Sequence, residues 1–355
     1  MRTFFLTTSV VKQTSSNHGV GLVYRALLCF VLVSFISACS DSNVPLYLSG
    51  PTMGTTYNIT IIDDELSTDP NTVAMKIMNL LGDINQAAST YIKDSELMRF
   101  NRSPIGEPVV LSSELTEILQ VSSDVYQLTH GAFDVTVAPL VNIWGFGPDN
   151  RREVPSDLEI SDALAKVGFE KILLDATNST ATRNSDVSVD LSSVAKGYAV
   201  DKVANYLEML GVENYLVEIG GEIRVKGHNN RGSRWRIGIE APTLGRNDPA
   251  QAIEVEDLAM ATSGDYRNYF DDDGVRYSHT IDPRTGKPIT HNLASITVLH
   301  KSSAMADALA TGLNVLGYEK SIKVCNDNQI PCFFIVREHD KFAEYPSETF
   351  EQYMN

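Results

Sequence analysis

The sequence predicts a single α+β domain with mostly antiparallel sheets and packed helices. Three observations carry this. Apolar patterns of period two and period 3.6 are interspersed along the chain, without the regular βαβ rhythm of a doubly wound sheet. No GxGxxG run follows a strand pattern and no Walker loop is present, which sets aside Rossmann and P-loop architectures. Beyond residue 46 no internal repeat, low-complexity tract or interdomain linker interrupts the pattern, so the domain is assigned to residues 47–355.

Composition narrows the function classes. A hydrophobic content of 43% with 21% charged residues is an ordinary globular balance. The formal charge of −16 argues against a nucleic-acid partner and against a polybasic membrane face. The overall field therefore does not draw in a phosphate-bearing ligand. Such a site must be built locally from cations, helix N-termini or a metal.

The N-terminus reads as an address rather than structure. Arg25 precedes an apolar run, Ala26 to Ala38, too short for a comfortable transmembrane span. The run ends Ile36-Ser37-Ala38-Cys39, which resembles a bacterial lipobox. The expectation is a lipoprotein signal over residues 1–38, then a lipidated Cys39 and a short polar tether, residues 39–46 together. On that reading Cys29 leaves with the signal and Cys39 carries lipid. Cys325 and Cys332 are then the remaining pair, in a compartment where disulfides persist. No CxxC motif and no Cys/His cluster of zinc type occurs.

Along the domain, Leu48 to Ile62 alternates as a strand and contains Pro51-Thr52-Met53-Gly54-Thr55-Thr56-Tyr57. Read alone, Met53 is strand core. Val73, Ile77, Leu80, Leu81 and Ile84 fall at helical spacing. Ser89-Thr90-Tyr91 and Ser95 to Asn101 follow, and Tyr91 offers an aromatic face with a polar tip for stacking. Leu115, Ile118, Leu119, Val125 and Leu128 make a second amphipathic helix that Gly131 can end. Gly131 to Leu140, with Ala132-Phe133-Asp134 at its head, leads to Trp144-Gly145-Phe146-Gly147. Pro155 to Val167 reads as a helix and Lys171 to Asp175 as a strand.

A β-rich run, Val187 to Leu191, hands over through Ser192-Ser193 to a helix that continues to Leu210, with Lys196 in its first turn. Exposed N–H groups at a positive helix end suit an anion, and the same pattern suits an ordinary capped helix. Tyr215–Ile219 and Glu222–Val225 read as strands flanking Gly220-Gly221, a hairpin turn or bulge. Trp235 to Ile239 is a further strand, Ala261 to Asn268 a loop, and Asp271 to Gly274 a turn. Phe333 to Arg337 and Phe342 to Tyr345 read as closing strands.

Chemistry concentrates in residues 279–317. His279 to Pro288 brings together an imidazole, a carboxylate and two cations, with Asp282-Pro283 and Thr285-Gly286 as turn dipeptides. Ala294 to Leu299 alternates as a half-buried strand. Ser303 can cap a helix through Leu316, stopped by Gly317. On that helix Asp307 and Thr311 stand four residues apart, so their oxygens share one face. Ala304, Ala306, Ala308 and Ala310 keep the surroundings low. Two readings stand. One is a hard-cation site, since Mg2+ takes one or two carboxylates and fills its shell with water and substrate oxygens. The other is a close helix contact with Thr311 bonded back to the i−4 carbonyl. His279 is likewise either an acid–base group or a hydrogen bonder within its turn.

Together with Pro51–Tyr57, Ser89–Asn101, Gly131–Gly147, Val189–Tyr198 and Ala261–Asn268, these two runs resemble the signature of the ApbE family, the FAD:protein FMN transferases. The resemblance extends from about Gly50 to the C-terminal strands. It implies a T-fold-like core and an enzyme that moves FMN from FAD onto a threonine hydroxyl of a partner protein, releasing AMP. Carried over residue by residue, it implies FAD contacts at Met53, Tyr91, Ala132, Phe133, Asp134, Asp190, Lys196 and Ile281. It implies Mg2+ ligation by Ser193, Asp307, Ala310 and Thr311, with backbone oxygens near Ser193 and Ala310 contributing. Catalytic roles fall to Asp307 through that metal and to His279, which would orient or deprotonate the threonine. The implied acceptors are subunits of membrane redox complexes such as the sodium-translocating NADH:quinone oxidoreductase. The implied address is a lipid-anchored protein facing the periplasm at the inner membrane. FAD hydrolysis to FMN and AMP, a non-catalytic flavin-binding lipoprotein, and a solute-binding or structural lipoprotein are the competing readings.

Overall fold

Eight short strands pair side by side in chain order, and that ladder is the frame of the protein. A computed structural model describes residues 45–354 except 64, 65, 67, 148–152, 243–248, 265–268, 273 and 340; the expected signal segment and Cys39 lie outside the described residues. The strands are β1 (Leu46–Thr52), β2 (Thr55–Ile61), β3 (Tyr215–Ile219), β4 (Glu222–Lys226), β5 (Leu258–Gly264), β6 (Leu293–His300), β7 (Cys332–Glu338) and β8 (Lys341–Pro346). Every neighbouring pair is antiparallel. Helices α1 (Pro70–Ala88), α2 (Glu96–Asn101), α3 (Ser113–Leu128), α4 (Ala138–Ile143), α5 (Asp157–Leu164), α6 (Ala195–Met209), α7 (Ser303–Leu316) and α8 (Tyr318–Asp327) fill the connections.

Alternation along the strands sends side chains to two cores. Ile59, Val217, Ile296, Val298 and Phe334 join residues of α1, α3, α6 and α7 in the larger one. Val225, Met260, Leu299, Phe333 and Ile335 face the other way, onto a ribbon made by Trp235–Glu240 and Pro249–Val255. A mixed α+β domain with antiparallel sheets is therefore what the chain forms. Pro108–Val110, Thr180–Arg183 and Ile172–Asp175 form a separate antiparallel sheet of three strands.

Several elements differ from the sequence expectation, each for a local reason. Leu48 to Ile62 is a hairpin rather than one strand, because Met53 and Gly54 both take positive φ, 47° and 74°, and pair Thr52 with Thr55. That two-residue turn matches the twist of its strands. Residues Leu293–Leu299 are buried on both faces instead of alternating, since each side of the sheet is covered there. Val187, Val189 and Leu191 are buried, yet among the described residues the run forms a single bridge, Ser188 to Val137, and no ladder. α7 is capped by Ser302, whose hydroxyl accepts from Met305 N–H, one residue before the expected cap. α6 begins after Val194 with no side-chain cap from its own segment, so Ser192-Ser193 do not serve that role. Cys325 and Cys332 are joined in a disulfide that ties α8 to β7.

Candidate active site

Helices α6 and α7 hold each other's first turns. Asp201 on α6 accepts the Ser302 hydroxyl at 2.7 Å, Ser303 N–H at 2.9 Å and Ala304 N–H at 3.0 Å, satisfying the start of α7. Asp307 on α7 returns the favour: its Oδ2 accepts Gly197 N–H, in the first turn of α6, at 3.0 Å. A carboxylate at each positive helix end suits the macrodipole. The close approach depends on Gly197, where a Cβ would lie 2.3 Å from the Ser303 carbonyl oxygen. Arg224 on β4 braces the pair by donating to Asp201 and to Glu208, both at 2.9 Å.

Lys196 rises from the same first turn of α6. Its ammonium lies 2.6 Å from Glu222 Oε1 and 3.9 Å from Asp307 Oδ2. The stem passes the Gly220-Gly221 turn, where a Cβ on Gly220 would sit 3.2 Å from Lys196 Cδ and 2.8 Å from a methyl of Thr55. Gly220 takes a φ of 61°, so the turn needs glycine for both reasons. The hairpin tip carrying Met53 thus lies two residues from a side chain of this cluster.

Two buried carboxyl groups face one ammonium. Burial raises the pKa of Glu222, Asp307 adds repulsion, and Lys196 opposes both. Burial likewise raises Asp307, against the pull of Lys196 and Gly197 N–H. Burial alone would lower Lys196, but the Asp307 and Glu222 carboxylates outweigh it and hold the ammonium charged. Among the described residues, Glu222 Oε2 is buried without a hydrogen-bond partner.

The donor chemistry around Asp307 fits a hard cation. Among the described residues its Oδ1 accepts no hydrogen bond, and Thr311 makes no bond back to the Asp307 carbonyl. No group of three or more His, Cys, Asp or Glu side chains gathers among the described residues. A cation there would be held as Mg2+ is elsewhere, by one carboxylate with hydroxyl, backbone, water and substrate oxygens.

The remaining residues singled out in the sequence occupy distinct settings. Tyr91 is 72% exposed on the loop between α1 and α2. The helix after that loop is tied to the 187–191 run: Asn101, the last residue of α2, exchanges hydrogen bonds of 2.8 and 2.9 Å with the Val189 backbone. Asp190 donates its N–H to the Val135 carbonyl at 2.7 Å and accepts Ser192 N–H at 2.8 Å, so Ala132–Asp134 and Ser193 are neighbours along one backbone path. The side chains of Ala132 and Phe133 are buried against α7, leaving backbone groups for any ligand. The Asp134 carboxylate is engaged by Thr136 and by Phe169 N–H. Ser193 is half-buried at the head of α6, and Ala310 is buried beside Thr311 on α7. His279 sits edge-on to Phe146, 6.3 Å between ring centres, and Ile281 is buried with Trp144 and Ile160. Glu222 was legible only as a strand residue. The one signal available was a carboxylate directly after a Gly-Gly turn.

The site is thus a lysine and two carboxylates gathered at a helix N-terminus of an antiparallel α+β domain. The ApbE family model matches residues 53–334. The chain is 46% identical over 330 residues to the FAD:protein FMN transferase of Vibrio cholerae, covering 93% of this chain and 98% of that protein. It is 42% identical over 333 residues to the Haemophilus influenzae FAD:protein FMN transferase, covering 92% and 96%. Among solved structures, the flavin transferase ApbE from Vibrio cholerae superposes with a TM-score of 0.81 at 47% identity, over 88% of this chain and 99% of that one. The apo flavinyl transferase ApbE of Pseudomonas stutzeri gives 0.81 at 39% identity, over 88% and 97%. The chain belongs to the ApbE family and is an enzyme of that family.

Proposed function

We propose that the chain transfers the FMN part of FAD to a threonine hydroxyl of a partner protein, using Mg2+ and releasing AMP. The threonine oxygen attacks the phosphorus on the riboflavin side of the pyrophosphate. The bond from that phosphorus to the AMP oxygen breaks, a phosphoester forms, and the hydroxyl proton leaves. The observation that carries this reading is the meeting of Lys196, Asp307 and Glu222 at the first turn of α6. Relatives named FAD:protein FMN transferase support FAD as donor and a protein as acceptor.

The chain's own residues have defined tasks. The Lys196 ammonium, at the positive end of α6, receives the pyrophosphate. The exposed ring of Tyr91 and the hairpin tip at Met53 offer surface to the isoalloxazine. Ala132, Phe133, Asp134, Asp190 and Ile281 shape the flavin site, chiefly through backbone placement. Asp307 and Thr311, with backbone oxygens near Ser193 and Ala310, would hold the Mg2+. Bound there, the cation supplies Lewis-acid stabilisation of charge on the transferring and leaving phosphates. His279 orients the incoming hydroxyl or accepts its proton.

Incubation with FAD, Mg2+ and a threonine-bearing acceptor should yield in-gel flavin fluorescence and AMP in equal amounts. AMP and free FMN without labelled acceptor would replace transfer by hydrolysis. FAD binding with neither product would make the protein a flavin carrier. His279→Ala is expected to slow transfer by about 10²–10⁴-fold with FAD affinity retained. An equal loss of FAD affinity would make it a binding group instead. The family resemblance points to subunits of membrane redox complexes, such as the sodium-translocating NADH:quinone oxidoreductase, as acceptors.

The address follows from the lipobox-like Ile36 to Cys39. The reading is cleavage before Cys39, lipidation there, and anchorage at the inner membrane facing the periplasm. Mass spectrometry of membrane-extracted protein should find a diacylglyceryl group on Cys39. A mature chain still starting at Met1 would end this proposal.

A further inference from the structure

Glu222 belongs to no role assigned so far, yet it is the nearest partner of Lys196. Its side chain is 7% exposed, Oε1 lies 2.6 Å from the ammonium, and among the described residues Oε2 is buried and unpartnered. The ammonium stands 3.9 Å from Asp307 Oδ2, inside ion-pair range but beyond hydrogen-bond range. Among the described residues these two carboxylates are the only acidic partners of Lys196. A half-buried ammonium that lost one would close on the other, because an unpaired charge in such a setting is costly. Asp307 is the carboxylate on which the Mg2+ reading above depends. Lys196 and a divalent cation therefore compete for the same carboxylate.

We infer that Glu222 is a positioning residue that holds Lys196 off Asp307 and so keeps the Asp307 carboxylate open for the cation. The inference rests on the Mg2+ reading of the proposed function. Its structural means are visible. Glu222 opens β4 directly after Gly220-Gly221, and the missing Cβ of Gly220 leaves room for the lysine stem, whose Cδ such a Cβ would approach to 3.2 Å. Glu222 acts through Lys196, with no bond to substrate.

The test is calorimetric titration of Mg2+ alone into the full chain and its variants. Glu222→Gln keeps shape but weakens the hold on the ammonium, and Mg2+ affinity should fall about 10- to 100-fold, the range for residues that orient metal ligands. Adding Lys196→Met to that variant removes the competitor and should return affinity to near the parent value. Lys196→Met in the otherwise unchanged chain should bind Mg2+ at least as tightly as the parent, which keeps the inference testable should Glu222→Gln fold poorly. Unchanged Mg2+ affinity in Glu222→Gln would overturn it. So would a double variant as weak as Glu222→Gln, because Glu222 would then be a ligand itself. Weaker binding by Lys196→Met would also overturn it. A parent chain that binds no Mg2+ would overturn the metal reading as well. Mg2+ binding lost in Asp307→Asn but intact in Glu222→Gln sinks this inference alone.

Discussion

Asp307→Asn is expected to slow flavin transfer by at least about 100-fold, the scale of losing one preorganised electrostatic group from a transition state. The substitution keeps size and one oxygen acceptor while removing a negative charge. The surviving oxygen can still accept Gly197 N–H, so the junction of α6 and α7 should hold. Loss of that charge acts on the chemical step, because a cation at this position balances charge that develops on the leaving phosphate. Raised Mg2+ should recover part of the rate. FAD affinity should fall less than turnover, since the Met53 and Tyr91 surfaces lie on other elements. The competing account makes Asp307 only the cap of α6. Its loss would then lower stability by about 1–2 kcal/mol, with no Mg2+ dependence of the defect. Transfer rates across a Mg2+ series, measured beside melting curves, decide between them. Parallel Mg2+ curves with only a lower melting temperature would refute the metal role.

What the sequence revealed and what it hid divide along sequence separation. The helical spacing from Val73 to Ile84 and from Leu115 to Leu128 is a local signal, and both helices form around those positions. The Asp307–Thr311 face is also local, and both residues do lie on one helix. The Met53-Gly54 hairpin is not legible in the sequence because it needs a methionine at positive φ, which alternation cannot show. Val187 to Leu191 has the burial of a strand without its ladder, because burial pattern and hydrogen-bond partner are set by different neighbours. The reciprocal caps join Asp201 to residues 101–103 positions away and Asp307 to one 110 positions away. No window of sequence contains either pair. Glu222 was hidden for the same reason: its meaning lies in Lys196, on another element.

Gly197→Ala should destabilise the protein by about 1–3 kcal/mol and abolish most transfer activity, although glycine-to-alanine changes inside helices normally stabilise. The new Cβ would fall 2.3 Å from the Ser303 carbonyl oxygen and 2.8 Å from Asp307 Cβ. The Ser303 contact is backbone on a fully buried helix turn and cannot swing aside as a side chain tip could. α6 and α7 must separate, and that shift stretches the Asp307 bond to Gly197 N–H and the Asp201 bonds to the α7 first turn. Both caps and the Lys196–Asp307 spacing depend on one missing methyl group. Gly82 on α1 supplies the control, because it is exposed and a Cβ there meets nothing within 4 Å. Gly82→Ala should therefore stabilise by up to about 1 kcal/mol. Urea unfolding of the two variants should move in opposite directions, and flavin transfer should be lost in Gly197→Ala alone. A Gly197→Ala protein as stable as Gly82→Ala, with full transfer activity, would show that the two helices can part without disturbing the site.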